Sequence, residues 1–223
     1  SWIDSFIFSS PSGILKTLAV MSGDGSLFLH TKVTLYETLV SFLLVIGISF
    51  LTATLLWIFP TVSEILEPWL VVLNSLPKSA LAPLLIVWLG SGSCTIIVAG
   101  MSVAVFGSII SMYTAFRETD SEKIKLIHTL GGGKREALCY VIFPSSLPSV
   151  ISILKVNIGL CLVGVIIGEF LAAREGLGYL IIYASQIFKL NYLIAALMVL
   201  CLIALILYTV IQKFEHQIKR SRS

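Results

Sequence analysis

Five long apolar segments constrain the fold of this chain more than any other feature of its sequence. Each is long enough to cross the hydrocarbon core of a bilayer, which takes about 20 apolar residues in a helix. Within a bilayer only helices and closed barrels satisfy their own backbone hydrogen bonds, and runs this continuous lack the alternation of barrel strands. The sequence therefore predicts an all-α integral membrane protein, a polytopic helical bundle. The predicted spans are Tyr36–Phe59, Pro68–Leu89, Cys94–Phe116, Leu147–Ala172 and Leu190–Gln212.

The composition agrees with this prediction and argues against other classes of protein. Hydrophobic residues make up 57% of the 223 residues and charged residues only 12%, which is far from the balance of soluble domains. The net charge is +3 and the basic residues are dispersed, so we expect no nucleic-acid partner. The cysteines and histidines lie singly, without the spacings of a metal site or a disulfide framework. We therefore expect no metal site, and we expect the cysteines to be small packing residues.

The polar stretch from Thr119 to Pro148 interrupts the apolar segments of the second half. It predicts two short helices that are joined at Gly131–Gly133 and closed by prolines. Thr119 and Glu122 have the spacing of a capping box, in which each side chain satisfies a free backbone N–H at a helix start. Two further residues are candidates for the cap, Asp120 and Ser121.

The first of these two helices is expected to carry one apolar stripe. Ile124, Ile127 and Leu130 recur at helical spacing. Gly131 is well placed to end the helix, because glycine accepts the left-handed conformation that a helix terminus needs.

The distribution of lysine and arginine predicts the orientation of the chain. Basic residues collect in cytoplasmic loops. If the stretch Thr119–Pro148, called the Thr119 loop, lies on the same side of the membrane as the C-terminal tail, nine basic residues fall on that side and four on the other. We therefore expect a cytoplasmic loop and a cytoplasmic C-terminus, although the link Thr61–Glu67 would lie on that side without a basic residue. The nine are Arg117, Lys123, Lys125, Lys134, Arg135, Lys213, Lys219, Arg220 and Arg222, and the four are Lys16, Lys32, Arg174 and Lys189.

The second predicted span has the polar stretch Asn74–Ser79 in its middle. Pro77 and Pro83 each remove a helical hydrogen bond, which predicts a kinked or broken span. Two interpretations of Lys78 stay open: it lines a translocation pathway, as intramembrane charges commonly do, or it extends its ammonium group to the lipid headgroups. The pathway candidates in this span are Asn74, Ser75 and Lys78.

The fourth predicted span also carries polar residues. We expect Lys155 to extend to the headgroups from the cytoplasmic end, with a role in substrate binding as the alternative. We expect Asn157, Gly159 and Gly164 to serve close helix packing. Glu169 stands near the other end, where a solvated or base-paired carboxylate is expected and a place in the pathway is the alternative. Asn157 and Glu169 complete the pathway candidates.

No catalytic motif is recognisable. Gly131-Gly132-Gly133-Lys134 looks like part of a nucleotide-binding loop, but His128 and Arg135 occupy positions where that signature needs glycine and Ser or Thr. We therefore expect the chain neither to bind ATP nor to act as an enzyme by itself.

The helix–glycine–helix stretch and its ending resemble a known loop. It resembles the EAA loop of the membrane-spanning subunits of binding-protein-dependent ABC importers: Gly131 matches the glycine, Ile142 the isoleucine, and Pro144 and Pro148 the prolines. The Glu-Ala-Ala itself is not kept, since approximately Lys125, Leu126 and Ile127 stand there.

Two more stretches resemble the nitrate, sulfonate and taurine branch of that family, and the resemblance extends from about Pro11 to the C-terminal tail. It implies a type I importer permease fold, one transmembrane domain over residues 1–223 with a coupling loop at 119–148, and a sixth span before Ser1. The matching residues are Pro77, Ala80, Pro83, Leu84, Trp88, Gly90 and Gly92 in the broken span, and Glu169 followed by Gly176-Leu177-Gly178-Tyr179.

The resemblance implies a multi-pass subunit of the bacterial cytoplasmic (inner) membrane that forms the pathway for a small polar or anionic solute, such as a sulfonate, taurine, nitrate or a thiamine precursor. It implies a second copy of the permease in a homodimer, an extracytoplasmic substrate-binding protein, and two cytoplasmic ATPase subunits that hold ATP and Mg²⁺, while this chain binds no cofactor directly. The implied ATPase-coupling residues are Thr119, Glu122, Ile124, Ile127, Leu130, Gly131, Lys134 and Pro144.

Two other functions fit the same residues. A secondary transporter or channel that is not coupled to an ATPase also has broken helices and polar residues at the midplane, and it would need only an ion gradient. A membrane scaffold would use the loop to bind a cytoplasmic protein and would move no solute.

Overall fold

The structure is a computed structural model that describes residues 10–220. Within these residues every regular element is helical, as the sequence predicts. A π-helical turn, Leu138–Ile142, joins two of the helices. The α-helices are α1 Pro11–Gly23, α2 Ser26–Ile58, α3 Pro60–Ser75, α4 Lys78–Leu89, α5 Ser93–Arg117, α6 Ser121–Thr129, α7 Lys134–Ala137, α8 Phe143–Ala172, α9 Leu177–Gln186 and α10 Leu190–Arg220.

Four helical stretches in this part of the chain are long and apolar enough to cross a membrane: α2, α5, α7 continued into α8, and α10. The pair α3 and α4 makes a fifth if it counts as one span, and it is bent by 93°. The predicted break is thus confirmed. Its cause is Pro77, which disfavours helical geometry in the preceding residue, and Leu76 accordingly has the extended angles φ −63° and ψ 138°.

Several helix boundaries differ from the predicted ones. α2 begins at Ser26, ten residues before the predicted Tyr36. Hydropathy did not predict this earlier start, because the first ten residues of the helix include several polar ones. The predicted link Thr61–Glu67 is part of α3. Pro60 occupies the first position of that helix, where its fixed φ is favourable and its missing N–H costs no bond.

Residue contacts divide the chain into two compact units, each made of three segments. The first unit contains the chain up to Phe42, Pro77–Val103 and Ile158–Tyr208. The second contains Leu43–Leu76, Ala104–Asn157 and the chain from Thr209.

In the first unit, α8 packs closely on α5 through glycine. A Cβ atom added to Gly164 would lie 2.8 Å from the Cα of Gly100 and 3.0 Å from the carbonyl oxygen of Ala99. This confirms close packing at Gly164. The same expectation for Gly159 is wrong, because an added Cβ there would meet no atom within 4 Å.

In the second unit, the core forms around aromatic rings. Phe116 is fully buried, and the rings of Phe50, Phe116 and Phe143 lie with centroids 5.0 to 5.9 Å apart. Lys155 forms an ion pair with Glu215 of α10, and the two side chains are 19% and 8% exposed. The prediction that Lys155 extends to the headgroups is therefore wrong, since a carboxylate 60 residues later in the chain holds the ammonium group inside the unit.

We predict that Gly164→Val destabilises the permease while Gly159→Ala does not. The added side chain at Gly164 must displace the α5 backbone, and overpacking of this kind typically costs about 1–3 kcal/mol. Thermal unfolding in detergent measures the difference. Equal melting temperatures for the two variants would contradict the packing described here.

Candidate functional site

The loop between α5 and α8 begins with a capped helix, and the cap is Asp120, one of the two further candidates, instead of Thr119. Asp120 is the N-cap of α6, and its Oδ1 accepts a hydrogen bond of 2.9 Å from the N–H of Glu122. The Thr119–Glu122 capping box is therefore wrong, and the hydroxyl of Thr119 is buried without a partner. Glu122 lies in the first turn, where a carboxylate interacts favourably with the helix dipole.

The glycines after α6 form a tight turn, as predicted. Gly131 has φ +86°, a conformation that favours glycine. Its N–H donates to the carbonyl of His128 at 3.1 Å, and the N–H of Gly132 donates to the carbonyl of Ile127 at 2.9 Å. The turn therefore satisfies two of the last carbonyls of α6, those of Ile127 and His128.

The second predicted helix of the loop is not a separate element. α7 has only four residues and continues through the π-helical turn into α8, so Pro144 and Pro148 lie inside a long helix and do not close a short one. In the π-helical turn the N–H of Phe143 donates to the carbonyl of Leu138, five residues earlier. This wider turn directly precedes Pro144, which has no N–H to donate.

The apolar residues of α6 are divided between two directions. Ile124 packs against the core of the second unit, and Ile127 is partly buried beside Gly132, where an added Cβ would lie 2.6 Å from its Cγ2. Leu130 is 76% exposed and Leu126 is 59% exposed. The predicted stripe therefore faces inward at two of its three positions. Leu126 was missed, although its spacing of four residues from Leu130 places both on one helix face.

Lys134 connects the loop to another helix of the second unit. Its Nζ donates a hydrogen bond of 2.9 Å to the carbonyl oxygen of Ile58, the last residue of α2. The N–H of Gly133 just before it donates to Glu136 Oε2 at 2.8 Å. The start of α7 is thus fixed by two side chains of α7 itself, one bonded to the end of α2 and one to the glycine turn.

A pocket of about 420 Å³ lies between α6, the α2–α3 corner and the end of α5. It carries charges of both signs, and Arg117 lies 3.7 Å from Glu67 across an exposed ion pair, a type that contributes little to stability. Its lining includes Leu56, Trp57, Pro60, Ile124, His128 and Lys134.

Two of the predicted pathway residues, one on α8 and one on α3, lie against neighbouring positions of α5 in the second unit. Asn157 is 2% exposed and its Nδ2 donates to the hydroxyl of Ser108 at 2.7 Å. Asn74 is exposed, and its Oδ1 would lie 3.3 Å from a Cβ added to Gly107. Ser75 is exposed and its hydroxyl bonds to the carbonyl of Val71 in its own helix.

The other two predicted pathway residues belong to the first unit. Lys78 is the first residue of α4 and is partly buried. Glu169 is 1% exposed, so the expectation of a solvated carboxylate at the rim is wrong.

Glu169 organises a buried polar cluster that joins α2, α8 and the start of α9. Its Oε1 accepts from the hydroxyl of Thr34 at 2.7 Å, and its Oε2 accepts from the N–H of Gly178 at 2.5 Å. The same Thr34 hydroxyl accepts from the N–H of Leu177 at 2.8 Å. Two free N–H groups at the start of α9 are thereby satisfied. Thr34 was missed, because no local pattern relates it to a residue 135 positions later.

Glu37 lies beside this cluster without completing it. It is 1% exposed and its carboxyl group lies within hydrogen-bonding reach of Glu169. Its Oε2 is buried and has no hydrogen-bond partner. Glu169 therefore supplies the acceptors that hold the α9 start, whereas Glu37 only borders them.

These features are those of a helical membrane subunit with one ordered loop outside its spans, and comparison with known proteins identifies the family. A family model described as the inner membrane component of binding-protein-dependent transport systems matches residues 5–220. The chain belongs to this family. It is therefore an ABC transporter permease, as the loop and the two branch motifs predict.

Individual relatives are consistent with this family. The permease is 32% identical to a probable ABC transporter permease protein of Haemophilus influenzae, over 95% of this chain and 86% of that protein. It is 22% identical to a putative aliphatic sulfonates transport permease protein, SsuC, of Bacillus subtilis, over 99% of this chain and 80% of the relative. A chain from an inward-facing structure of the MetNI methionine ABC transporter shares the fold with a TM-score of 0.68 and 21% identity, covering 86% of this chain and 93% of that one.

We predict that Glu169→Gln destabilises the permease more than the matched Glu37→Gln. At Glu169 an amide NH₂ replaces an oxygen that accepts a hydrogen bond, which leaves a buried donor unsatisfied at a cost of about 1–3 kcal/mol. At Glu37 the Oε2 atom has no hydrogen-bond partner, so an amide group in that position breaks no existing hydrogen bond. Thermal unfolding in detergent compares the two variants, and an equal or larger loss for Glu37→Gln would contradict this assignment.

Proposed function

We propose that this permease forms the translocation pathway of an importer that is driven by ATP hydrolysis in separate subunits. Two cytoplasmic ATPase subunits bind ATP and Mg²⁺, a second copy of the permease completes the pathway in a homodimer, and an extracytoplasmic binding protein delivers the solute. The chain itself is not an enzyme. The membership in a family of binding-protein-dependent transport systems supports this proposal.

The single observation that carries the coupling role is the exposed face of α6. A nine-residue helix outside the spans presents Leu126 and Leu130 to solvent, 59% and 76% exposed. Large exposed apolar side chains at neighbouring helical positions favour a protein contact. Ile124 at the same time anchors the helix to the second unit, so a force applied to the exposed face is transmitted to the spans.

The charge distribution supports the placement of this face in the cytoplasm of a bacterium. Nine basic residues lie in the loop, at its borders and towards the C-terminus, against the four assigned to the opposite side, Lys16, Lys32, Arg174 and Lys189. We accordingly propose a multi-pass protein of the inner membrane, with the coupling loop and the C-terminus inside.

The solute that we propose is a small polar or anionic compound of the sulfonate, taurine, nitrate or thiamine-precursor kind. The Bacillus subtilis relative is named for aliphatic sulfonates, and the sequence motifs resemble the same branch. The proposed pathway residues are Asn74, Ser75, Lys78, Asn157 and Glu169, of which Lys78 supplies the positive charge that an anion needs.

The decisive experiment is reconstitution of the permease in proteoliposomes with its candidate ATPase and binding protein. Uptake that requires ATP and the binding protein supports the proposal. Uptake that follows an ion gradient without ATP would show a secondary transporter, and assembly without any uptake would show a scaffold.

We predict that Leu130→Asp weakens ATPase binding about tenfold or more, the equivalent of 1.4 kcal/mol, because the contact would bury an unpaired charge. The melting temperature of the permease alone should not change, since Leu130 is exposed. Affinity capture of the ATPase measures the effect.

Two variants control this prediction. Leu130→Met keeps an apolar contact and should bind normally, whereas Ile124→Asp should lower the melting temperature because Ile124 packs on the core. Normal ATPase capture by Leu130→Asp would refute the proposed contact face.

We predict further that Lys78→Ala slows uptake of an anionic solute about tenfold, the effect of losing roughly 1.4 kcal/mol of favourable interaction, while Lys78→Arg retains uptake because it keeps the charge. ATP hydrolysis should continue in both variants. An unchanged uptake rate in Lys78→Ala would remove this residue from the pathway.

A further inference from the structure

We propose that Lys134 is a positioning residue that couples the loop between α5 and α8 to α2, so that movement of α6 displaces two spans together. The inference rests on the proposed function, because it names the contact through which an ATPase-driven movement would reach α2. Lys134 is not itself part of the exposed contact face.

The first observation is the acceptor that Lys134 uses. Ile58 ends α2, and its carbonyl belongs to the last turn, where carbonyl groups lack helical partners. The backbone N–H groups of Val62 and Ser63 do not bond to this carbonyl, since both donate to the carbonyl of Phe59, at 3.0 and 3.1 Å. Lys134 Nζ supplies the donor at 2.9 Å. A cation at a helix C-terminus is also favoured by the helix dipole.

The second observation is the space around this bond. The pocket of about 420 Å³ is lined by Ile124 and His128 from the loop and by Leu56, Trp57 and Pro60 from the α2–α3 corner. Ile124 packs on the core, but the pocket leaves part of the space between α6 and the corner unfilled. The Lys134 bond crosses from the loop to the end of α2 beside this open space.

The third observation is the position of Lys134 in the chain. It is the first residue of α7, directly after the glycine turn, and α7 continues into α8. A displacement of α6 reaches α8 through the covalent chain. The same displacement reaches the end of α2 through Lys134, because its bond spans 76 residues of sequence.

The side chain must donate a hydrogen bond for this role, and its charge makes that bond stronger than a neutral one. Methionine has a similar length and flexibility but no donor. Arginine has donors and a comparable reach. The chain also offers a matched control in Arg135, an adjacent exposed cation.

The test compares wild type, Lys134→Met, Lys134→Arg and Arg135→Met in proteoliposomes with the ATPase and the binding protein. The measured quantity is the amount of solute taken up per ATP hydrolysed, alongside the melting temperature and ATPase capture. We expect this ratio to fall about tenfold in Lys134→Met, because the variant has no donor for the carbonyl of Ile58 and α2 would no longer follow the loop. Lys134→Arg and Arg135→Met should retain the wild-type ratio, with melting temperature and capture unchanged in all three.

Each other result has a defined meaning. A wild-type ratio in Lys134→Met overturns the inference, and so does an equal loss in Arg135→Met, which would indicate a general effect of charge. Failure of Lys134→Arg to restore coupling overturns it as well, because the donor would then not be the relevant property. Absence of ATP-dependent uptake in the wild type refutes the proposed function itself.

Discussion

The permease depends on one physical constraint: in lipid, each backbone N–H and C=O group must find a partner within the protein. Long helices meet this requirement along α2, α5, α8 and α10, but every helix end leaves free groups. In this chain particular side chains satisfy some of those ends, both in the buried cluster around Glu169 and at the exposed loop outside the spans. Asp120 accepts from the start of α6, Thr34 and Glu169 accept from the start of α9, and Lys134 donates to the end of α2.

Because these side chains come from different segments, the hydrogen bonds that satisfy the helix ends also connect the helices to one another. Glu169 joins α8 to α2 and to the turn before α9 within the first unit. Lys134 joins the glycine turn to α2 within the second. A helix end that is satisfied in this way cannot move alone without losing a buried or charge-assisted bond. The polar residues of this apolar protein therefore connect the ends of particular helices to neighbouring segments.

The sequence was sufficient to predict the features that depend on local chemistry. The spans follow from hydropathy, the 93° break from Pro77, and the turn at Gly131 from the conformational freedom of glycine. Features that depend on distant partners could not be predicted. Lys155 and Glu215 are 60 residues apart, and Thr34 and Glu169 are 135 apart, so their pairing is visible only in three dimensions.

The candidate site was predicted only in part, because some of its features depend on contacts with distant residues. Periodicity correctly predicted a helix at residues 121–129. It did not predict which face of the helix packs on the protein, because Ile124 and Leu126 lie on two different apolar faces. Packing of Ile124 on the core decides between them. The π-helical turn was also beyond prediction, since it reflects how α7 passes into a helix that begins with Phe143-Pro144.

The departure from Glu-Ala-Ala now has a structural meaning under the proposed function. Where related loops carry a carboxylate and two small residues, α6 carries Lys125 and the exposed Leu126, with Lys123 also exposed. A larger apolar side chain requires a deeper pocket in the partner, and cations at the edge of a contact favour acidic residues opposite them. The ATPase that fits this loop should therefore present an apolar pocket with an acidic rim. An ATPase shaped for Glu-Ala-Ala would place unlike surfaces against α6, so this helix restricts the permease to a partner with complementary charge.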